Sequence, residues 1–350
     1  MSARTFLFGL VAIALLVTYG VLGSRLASSV LPFGTASPAP PRPSAPVEAP
    51  NVPGTIAFGL GGDIYVLRNG RYANVTTEGR NFSPGLSPDG RTLIFARRET
   101  IQGTRSVDGQ ITPARLHYSD IIKKDALGGS ETILLTGLRD SAANGVAGVA
   151  WEDGPAISAD GSRVAVVLDD GAGSSDLYIY DVGSVRSRPI LIAKLSDKAD
   201  LADPSWAPDG KTIVITSYTL GGPRLLLVPI DGSAVRTVRI EPIGEAYRPA
   251  YSEDGRWLIY TLRNPRGAND VHAVEIDTGR DVALTNDGRS WNGVFSPDGS
   301  SIAFLRETGG VIDLWAMELD RALAGATPGR LVKLTHGEGI DGQSRIAWGR

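Results

Sequence analysis

The sequence predicts an all-β fold, a six-bladed β-propeller formed by residues 54–350, and two observations support that prediction. One is a phrase of the type "VFSPDGSSIAF", which occurs five times with its turn glycine at Gly90, Gly161, Gly210, Gly255 and Gly299. The other is the spacing of the last four glycines, which falls in the range of roughly 40–50 residues that is typical of repeat architectures. Each repeat is therefore expected to form one unit that packs against its neighbours.

Each repeat contains four short β segments. The first ends in a bulky residue, which is Leu86, Ile157, Trp206, Tyr251 or Phe295. The second follows the Asp-Gly pair, the third usually opens with Asp and an apolar residue, and the fourth often ends in an apolar residue followed by Thr or Ser. Alternating apolar and polar positions bounded by Gly, Pro and Asp are typical of antiparallel strands. The repeated Asp-Gly is interpreted as a hairpin turn and not as a set of catalytic or metal-binding carboxylates.

The two ends of the propeller region share one repeat. The segments "GTIAF", "DIYVL" and "YANVT", which begin at Gly54, match the second, third and fourth strands of a repeat and lack the first. The C-terminal "SRIAWGR" supplies that first strand and places Trp348 in the same column as Trp206 and Phe295. The sequence therefore predicts a ring closed by pairing of the C-terminal strand with the N-terminal blade, which removes open sheet edges.

Two segments precede the propeller. Residues 1–24 contain an apolar stretch without charge after Arg4, which is near the short limit for a membrane-spanning helix and longer than the usual core of a cleaved signal peptide. We predict a hydrophobic helix that acts as an uncleaved anchor, and a cleaved signal segment is the alternative. Residues 25–53 are rich in proline and predict an extended, unpaired linker. The propeller is then expected outside the cytoplasm, held at the cell membrane by a single pass, or secreted or periplasmic after cleavage.

Composition excludes several functional classes. The chain has 35 basic and 38 acidic residues with a net charge of -3, so it lacks the basic surface that nucleic acid requires. It contains no cysteine, which excludes disulfides and Cys-ligated zinc. No nucleotide or zinc-protease motif and no nucleophile elbow occurs, and neither "RSVDG" nor "KADLADPS" has the spacing of a known calcium loop. No cofactor and no metal is therefore predicted.

The repeat, in which a bulky residue and Ser-Pro-Asp-Gly precede an Asp-Ile-Tyr-like strand, resembles the six-bladed propellers of the TolB type over residues 54–350. The resemblance implies the fold. It does not imply one activity, because the same repeat occurs in translocation proteins, in propeller domains of serine peptidases and in carbohydrate-active proteins. The sequence departs from that family in having the apolar segment and proline-rich linker where TolB has a small domain, and in having Arg224 where Asp is usual.

One face of the propeller is predicted to carry the binding site. The connections between strands two and three, and between blades, are longer than the other turns and share one face, and long loops on a rigid scaffold often carry function. Residues that enter the inner strands should surround the mouth of the central channel there, and they are Ser83, Gly154, Asp203, Arg248, Asn292 and Arg345, with Phe82, Trp151, Tyr247 and Trp291 nearby. Mixed charge with aromatic residues suits a protein segment or a glycan.

The sequence thus predicts a non-catalytic, membrane-tethered, extracytoplasmic binding module. Its partner would be a protein or glycan of the cell envelope, and the propeller would be monomeric. Two alternatives remain open at this point. One is a hydrolase or lyase that acts on envelope or extracellular carbohydrate or peptide through rim residues, since this fold supports many functions. The other is a structural assembly platform without a small ligand.

Overall fold

The computed structural model describes residues 43, 45–107, 110–139, 148–149, 151–169, 175–183, 190–193, 199–319, 323 and 329–350. These residues belong to a single unit, Pro41–Arg350. The predicted anchor, residues 1–24, lies outside the described residues. Within the part of the chain that is described, no helix has the length and apolar character needed to cross a membrane.

All regular structure in the described residues is β-strand. The first half of the chain contains β1 (Val47–Glu48), β2 (Thr55–Leu60), β3 (Asp63–Arg68), β4 (Arg71–Asn74), β5 (Asn81–Leu86), β6 (Thr92–Val107), β7 (Gln110–Asp125), β8 (Thr132–Thr136), β9 (Leu138–Arg139), β10 (Gly148–Val149), β11 (Trp151–Ile157), β12 (Arg163–Asp169), β13 (Ser175–Asp181) and β14 (Ile190–Ala193). The second half contains β15 (Asp200–Trp206), β16 (Thr212–Tyr218), β17 (Arg224–Pro229), β18 (Arg236–Thr237), β19 (Glu245–Tyr251), β20 (Trp257–Arg263), β21 (Asn269–Glu275), β22 (Asp281–Ala283), β23 (Ser290–Phe295), β24 (Ser301–Thr308), β25 (Val311–Glu318), β26 (Leu331–Lys333) and β27 (Ala347–Gly349).

These strands form six antiparallel sheets, which we number blade 1 to blade 6 in chain order. Blade 1 has the order β1-β4-β3-β2-β27, and blades 2 to 6 consist of β5 to β8, β11 to β14, β15 to β18, β19 to β22 and β23 to β26. The strands β9 and β10 form a separate two-stranded sheet. The all-β, six-bladed propeller that the repeat predicts is therefore confirmed.

The apolar core lies between blades. Buried residues form six clusters, each shared by two neighbouring blades. Between blades 3 and 4, for example, Val167 and Leu177 contact the cluster that contains Trp206 and Ile213. The middle strands are covered on both faces, which explains why β2 and most of β20 are buried throughout. The bulky column of the repeat lies in these interfaces, since Trp206 and Phe295 are both buried.

Blade 1 contains strands from both ends of the propeller region. β27 pairs antiparallel with β2, so that Thr55 lies opposite Gly349 and Ile56 lies opposite Trp348. The indole Nε1 of Trp348 donates a hydrogen bond to the carbonyl oxygen of Pro53 at 2.7 Å. In this register β27 occupies the inner position of its blade, next to the channel.

The Asp-Gly repeats are turns, as predicted. In all five, the Asp carboxylate accepts the backbone N–H two residues further along the chain. At Asp160 the hydroxyl of Ser158, the N–H of Ser162 and its hydroxyl hold the pKa of the carboxyl at about 2. The turn glycines have φ between 65° and 72°, the left-handed conformation that favours glycine. These carboxylates therefore stabilise the turns.

The Asp that opens the third strand and the Thr that follows the fourth strand form one contact, which we call the Asp–Thr clamp. In blade 1, Asp63 Oδ1 accepts the Thr76 hydroxyl at 3.1 Å and the Gly79 N–H at 2.9 Å. Blades 5 and 6 repeat it with Asp270 and Thr285 and with Asp313 and Thr335. Because the clamp joins the third strand to the loop that leads into the next blade, it positions that loop.

Blade 4, which is described throughout, has no Asp–Thr clamp. Arg224 takes the position of the Asp, and its Nη2 donates to the Thr219 hydroxyl at 2.9 Å. The fourth strand, β18, is only Arg236–Thr237. The loops on either side carry two strongly exposed apolar side chains, Leu220 at 100% and Ile243 at 83%. The sequence departure at Arg224 therefore coincides with a local change in structure.

Three predictions about connections are wrong. In the repeat that contains Leu86, the connection between the second and third strands, which was predicted to be a long loop, is a β-hairpin, because β6 and β7 stay paired out to Val107 opposite Gln110. The linker predicted over residues 25–53 is not unpaired throughout, because β1 pairs with β4 and adds an outer strand to blade 1. The long connections are not confined to one face, because β25 ends at Glu318 and β26 begins only at Leu331, and a connection from a third to a fourth strand starts from the opposite face.

Candidate functional site

The inner strands of five blades enter the channel with the same irregularity. At Ser83, Gly154, Asp203, Arg248 and Asn292 the φ angle is between 49° and 61°, and each strand shifts register beside that residue. Four of these five are not glycine, and positive φ is uncommon for such residues. A bulge at a barrel or sheet end re-aims a side chain. The predicted equivalence of these five positions is therefore visible in the backbone.

Neighbouring elements hold this conformation in place. The backbone N–H of Arg248 donates to the Thr216 hydroxyl of blade 4 at 3.1 Å. The N–H of Asn292 donates to the Thr261 hydroxyl of blade 5 at 2.9 Å. Strained backbone persists only where the surroundings over-determine it. These contacts between successive blades supply that constraint at the channel.

A cavity of about 600 Å³ opens at this end of the channel, and we call it the mouth cavity. Its walls come from the 2–3 connections, the loops between blades and the residues at the bulges, and the lining residues are Gly62, Gly79, Arg80, Asn81, Phe82, Ser83, Arg98, Ala202, Asp203, Tyr218, Arg248, Asp341, Gly342, Gln343 and Ser344. Behind it lies a channel cavity of about 170 Å³, which is lined by inner-strand residues of all six blades. The mouth cavity is large enough for several side chains of a bound ligand.

Most charged groups in the mouth cavity already have partners within the protein. Arg248 donates from Nη1 to the Gly342 carbonyl oxygen at 2.9 Å and from Nη2 to that of Gln343 at 2.8 Å. Arg80 forms an ion pair with Glu99 at 2.5 Å. The carboxylate of Asp341 accepts the N–H groups of two glycines in the turn between β2 and β3. These groups shape the mouth, and Arg248 in particular fixes the loop that precedes β27.

Asp203 differs from the other charged groups of the mouth cavity. It lines the cavity and makes no hydrogen bond or ion pair with any residue that the structure describes. Beside it, burial and then the Asp203 carboxylate raise the pKa of Tyr218, so that the phenol stays neutral. Tyr218 is 37% exposed and can donate a hydrogen bond to a ligand. The pair offers one negative charge and one neutral hydroxyl to a ligand.

The structure separates the predicted site residues into groups. Asp203 and Arg248 line the mouth cavity, together with Ser83 and Phe82. Arg345 lies deeper, in the channel cavity, where its Nη1 donates to the Pro204 carbonyl oxygen at 2.8 Å. It does not share the positive φ of the equivalent residues.

The remaining predicted residues have internal roles where the structure describes them. Asn292 is buried and donates from Nδ2 to the Ser344 carbonyl oxygen at 2.8 Å. Trp291 donates from Nε1 to the Gly342 carbonyl oxygen at 3.0 Å, and Tyr247 donates its hydroxyl to Asn269 Oδ1 at 2.8 Å. The side chain of Trp151 lies outside the described part of the chain.

Most residues that line the mouth cavity were not indicated by the sequence, and Arg80, Arg98 and Tyr218 are three of them. Arg80 lies in the connection before β5, Arg98 lies within β6 just past the residues that pair with β5, and Tyr218 is the last residue of β16. Tyr218 was detectable in principle, because it is the last residue of β16 and therefore reaches the same face as the bulge of its own blade.

The fold and this cavity define a class of protein, a six-bladed β-propeller with an open, polar mouth on one face. Residues 128–341 match the family model described as the TolB beta propeller domain. That match covers more than half of the chain, and the chain therefore belongs to the TolB β-propeller domain family.

Curated relatives match part of the chain. The Tol-Pal system protein TolB of Anaeromyxobacter dehalogenans strain 2CP-1 is 29% identical over 161 residues, which are 46% of this chain and 25% of that protein. A protein TolB homolog of Chlorobium luteolum is 28% identical over 166 residues, which are 45% of this chain and 35% of that protein. The chain therefore matches only about a quarter to a third of the length of these relatives.

Solved structures share the fold. The crystal structure of TolB from Acinetobacter baumannii superimposes with a TM-score of 0.63 at 18% identity and covers 86% of this chain and 68% of that one. A chain of a nidogen/laminin complex superimposes with a TM-score of 0.59 at 11% identity and covers 84% of this chain and 98% of that one. At these identities the likeness shows the propeller fold and nothing about ligands.

Proposed function

We propose that this chain is a membrane-tethered, extracytoplasmic binding module that holds a segment of a cell-envelope protein in its mouth cavity. The observation that carries this proposal is Asp203, a carboxylate without a described partner on the wall of an open cavity. The neighbouring arginine Arg248 is satisfied by backbone carbonyls, so it shapes the cavity more than it binds. A basic side chain of the partner is the natural complement of Asp203.

The family supports a protein partner. A relative named Tol-Pal system protein TolB matches 161 residues of this chain, and the family model of the TolB beta propeller domain matches residues 128–341, which include Asp203, Tyr218 and Arg248 of the mouth cavity. A glycan also suits a polar mouth with tyrosine. Asp203 has no partner among the described residues and therefore favours a cationic ligand, and lysine and arginine side chains of proteins supply that charge. A protein segment is therefore the proposed ligand, and the experiment below distinguishes it from a glycan.

Placing a photo-crosslinking residue in the mouth cavity tests this proposal in the cell. With Tyr218→p-benzoylphenylalanine in the full chain, we expect an ultraviolet-dependent adduct with an envelope protein. Adding Asp203→Asn should reduce the adduct by about tenfold or more, because a charge-assisted hydrogen bond contributes about 1.5–3 kcal/mol and 1.4 kcal/mol is a factor of ten. The measurement is the adduct yield on a denaturing gel, followed by peptide mass spectrometry.

The control is Asp277→Asn, which removes another exposed carboxylate in the turn between β21 and β22 on the opposite face. It should leave the yield unchanged. The absence of any protein adduct would point to a glycan or to no ligand and would refute the proposal. So would an adduct that Asp203→Asn does not weaken.

The tether is a separate part of the proposal. If residues 1–24 are an uncleaved anchor, the native protein should sediment with membranes, resist extraction by alkaline carbonate and keep its original N-terminus. The length of the apolar stretch in residues 1–24 supports this expectation. A soluble protein whose N-terminus begins near Ala27 to Ser29 would instead establish a cleaved signal segment and would overturn the anchor, while leaving the mouth cavity unaffected.

A further inference from the structure

The β6–β7 hairpin extends well beyond the body of blade 2. Its pairing continues from Arg98 opposite Ser119 to Val107 opposite Gln110. At about 3.4 Å per residue this extension reaches roughly 30 Å from the blade. Its base adjoins the mouth cavity, because Arg98 lines that cavity. We call residues 98–119 the ribbon.

The outer edge of β6 in the ribbon lacks a strand partner among the described residues. At its base the N–H of Arg98 donates to the Arg80 carbonyl oxygen at 2.9 Å, on the side away from β7. Alternate residues of an antiparallel strand direct their N–H and C=O groups to the same side. Thr100, Gln102 and Thr104 therefore direct theirs toward this open edge, where no described strand pairs with them.

The opposite edge of the ribbon is protected. Ser119 directs its carbonyl oxygen outward, where it accepts the Gly137 N–H at 3.0 Å. Pro113 lies an even number of residues from Ser119 and therefore faces the same edge, where it has no N–H that could bond to an added strand. The strands β9 and β10 also contact β7. Natural sheets protect their edges with proline, with charged residues or with a covering segment. The β7 edge has a proline, Pro113, and is covered by β9 and β10.

Between Thr100 and Thr104 the β6 edge has no proline, no charged residue and no covering strand among the described residues. The intervening residues are Ile101, Gln102 and Gly103, with no proline and no charge. An unprotected, β-branched edge is a template for strand addition. We propose that this edge binds an extended segment of a partner protein, which adds to β6 as a third strand of the ribbon.

Charge identifies the kind of segment. One face of the ribbon is exposed and carries Arg98 of β6 and Arg115 of β7, whereas the acidic residue Glu99 lies on the other face and is paired with Arg80. Between the two arginines lie uncharged threonine and glutamine side chains. An acidic segment rich in β-branched residues is therefore the complement, with its carboxylates near Arg98 and Arg115 and its threonines or valines between them.

The test uses the full chain and a synthetic peptide of the sequence Asp-Thr-Val-Thr-Val-Thr-Asp. Hydrogen exchange should show new protection of the Thr100, Gln102 and Thr104 amides when the peptide is added. The amides of Ile101 and Gly103, which face β7, should not change. In fluorescence anisotropy, Gln102→Pro should weaken peptide binding at least tenfold because it removes one outward N–H, and proline is tolerated where an edge N–H faces solvent.

The matched control is Gln102→Ala, which changes the same side chain and keeps the N–H, and it should bind within about twofold of the wild type. A peptide with proline in place of each threonine should not bind. Equal peptide binding by the Gln102→Pro and Gln102→Ala variants would overturn the proposal. It would also be overturned if the Thr100, Gln102 and Thr104 amides became protected when the protein concentration is raised without peptide, because the added strand would then come from a second copy of this chain.

This inference is independent of the mouth cavity. Asp203→Asn should leave the peptide-dependent protection of the ribbon unchanged. If the peptide binds the ribbon but no photo-crosslinked adduct forms at the mouth cavity, only the proposed function is refuted. If the adduct forms but the peptide does not bind the ribbon, only the ribbon proposal is refuted.

Discussion

Replacing Trp206 with alanine is expected to lower the free energy of unfolding by about 3–5 kcal/mol, the range for truncating a buried aromatic residue. Trp206 is only 7% exposed and lies in the apolar cluster between blades 3 and 4. Its indole Nε1 donates to the Ala156 carbonyl oxygen of blade 3 at 3.0 Å, and the Arg163 guanidinium lies 4.9 Å from its ring. The substitution therefore removes apolar contact, a hydrogen bond and a cation–π contact from one interface.

Urea denaturation of the full chain, followed by circular dichroism, measures this loss. Trp206→Phe is the matched control, because it keeps an apolar ring and loses only the N–H, and it should cost about 1 kcal/mol for the hydrogen bond together with a small packing term. A loss below about 1 kcal/mol for Trp206→Ala would show that the interface between these blades contributes little, contrary to its burial.

Replacing Asp63 with alanine is expected to cost about 3 kcal/mol, since each buried donor left without an acceptor costs about 1–3 kcal/mol. Asp63 is buried at 2% exposure, and its Oδ1 accepts from Thr76, Gly79 and Asn81. The substitution therefore leaves several donors unsatisfied within blade 1 and in the loop that leads to blade 2.

A double-mutant cycle with Thr76→Val separates the clamp from simple truncation. Both single variants should destabilise the protein, and the double variant should lose less than the sum because the two residues belong to one contact. The comparison of unfolding free energies measures that coupling. Strict additivity would contradict a direct Asp–Thr contact. Asp63→Asn, which keeps one oxygen acceptor, should lie between the wild type and the alanine variant.

The blades could be predicted from the sequence because their signals are local and repeated. A Ser-Pro-Asp-Gly turn fixes a hairpin by its own chemistry, and the apolar alternation on either side identifies the strands. The positions of Asp63 and Thr76 were visible as a pattern, although the hydrogen bond between them became clear only from the structure.

The connections were harder to predict. The ribbon does have a local signal, since "VDGQ" places an Asp-Gly pair between two segments of alternating residues, and this pattern favours a hairpin. The strand at Val47 and Glu48 depends on pairing with Tyr72 and Arg71 far along the chain, and no local pattern specifies it.

The candidate site was predicted in part. The ring of residues that enter the inner strands was recognised as equivalent, and five of the six share the same backbone conformation. Which of them face the cavity depends on hydrogen bonds formed across the ring. Arg345 reaches Pro204, and Asn292 reaches Ser344, so both side chains are used internally. Such long-range pairing has no signature in a single sequence.

Because blade 4 lacks the Asp–Thr clamp, the loops around the mouth cavity are not all held by the same contact. In blades 1, 5 and 6 the carboxylate of the clamp Asp accepts a backbone N–H of the outgoing loop, whereas the loop of blade 4 that contains Ile243 leads into the strand of Arg248 without such a contact. Regions with fewer buried contacts open at lower free energy than the rest of a fold. We therefore expect the loop that follows blade 4 to open at lower free energy than the loops that follow blades 1, 5 and 6.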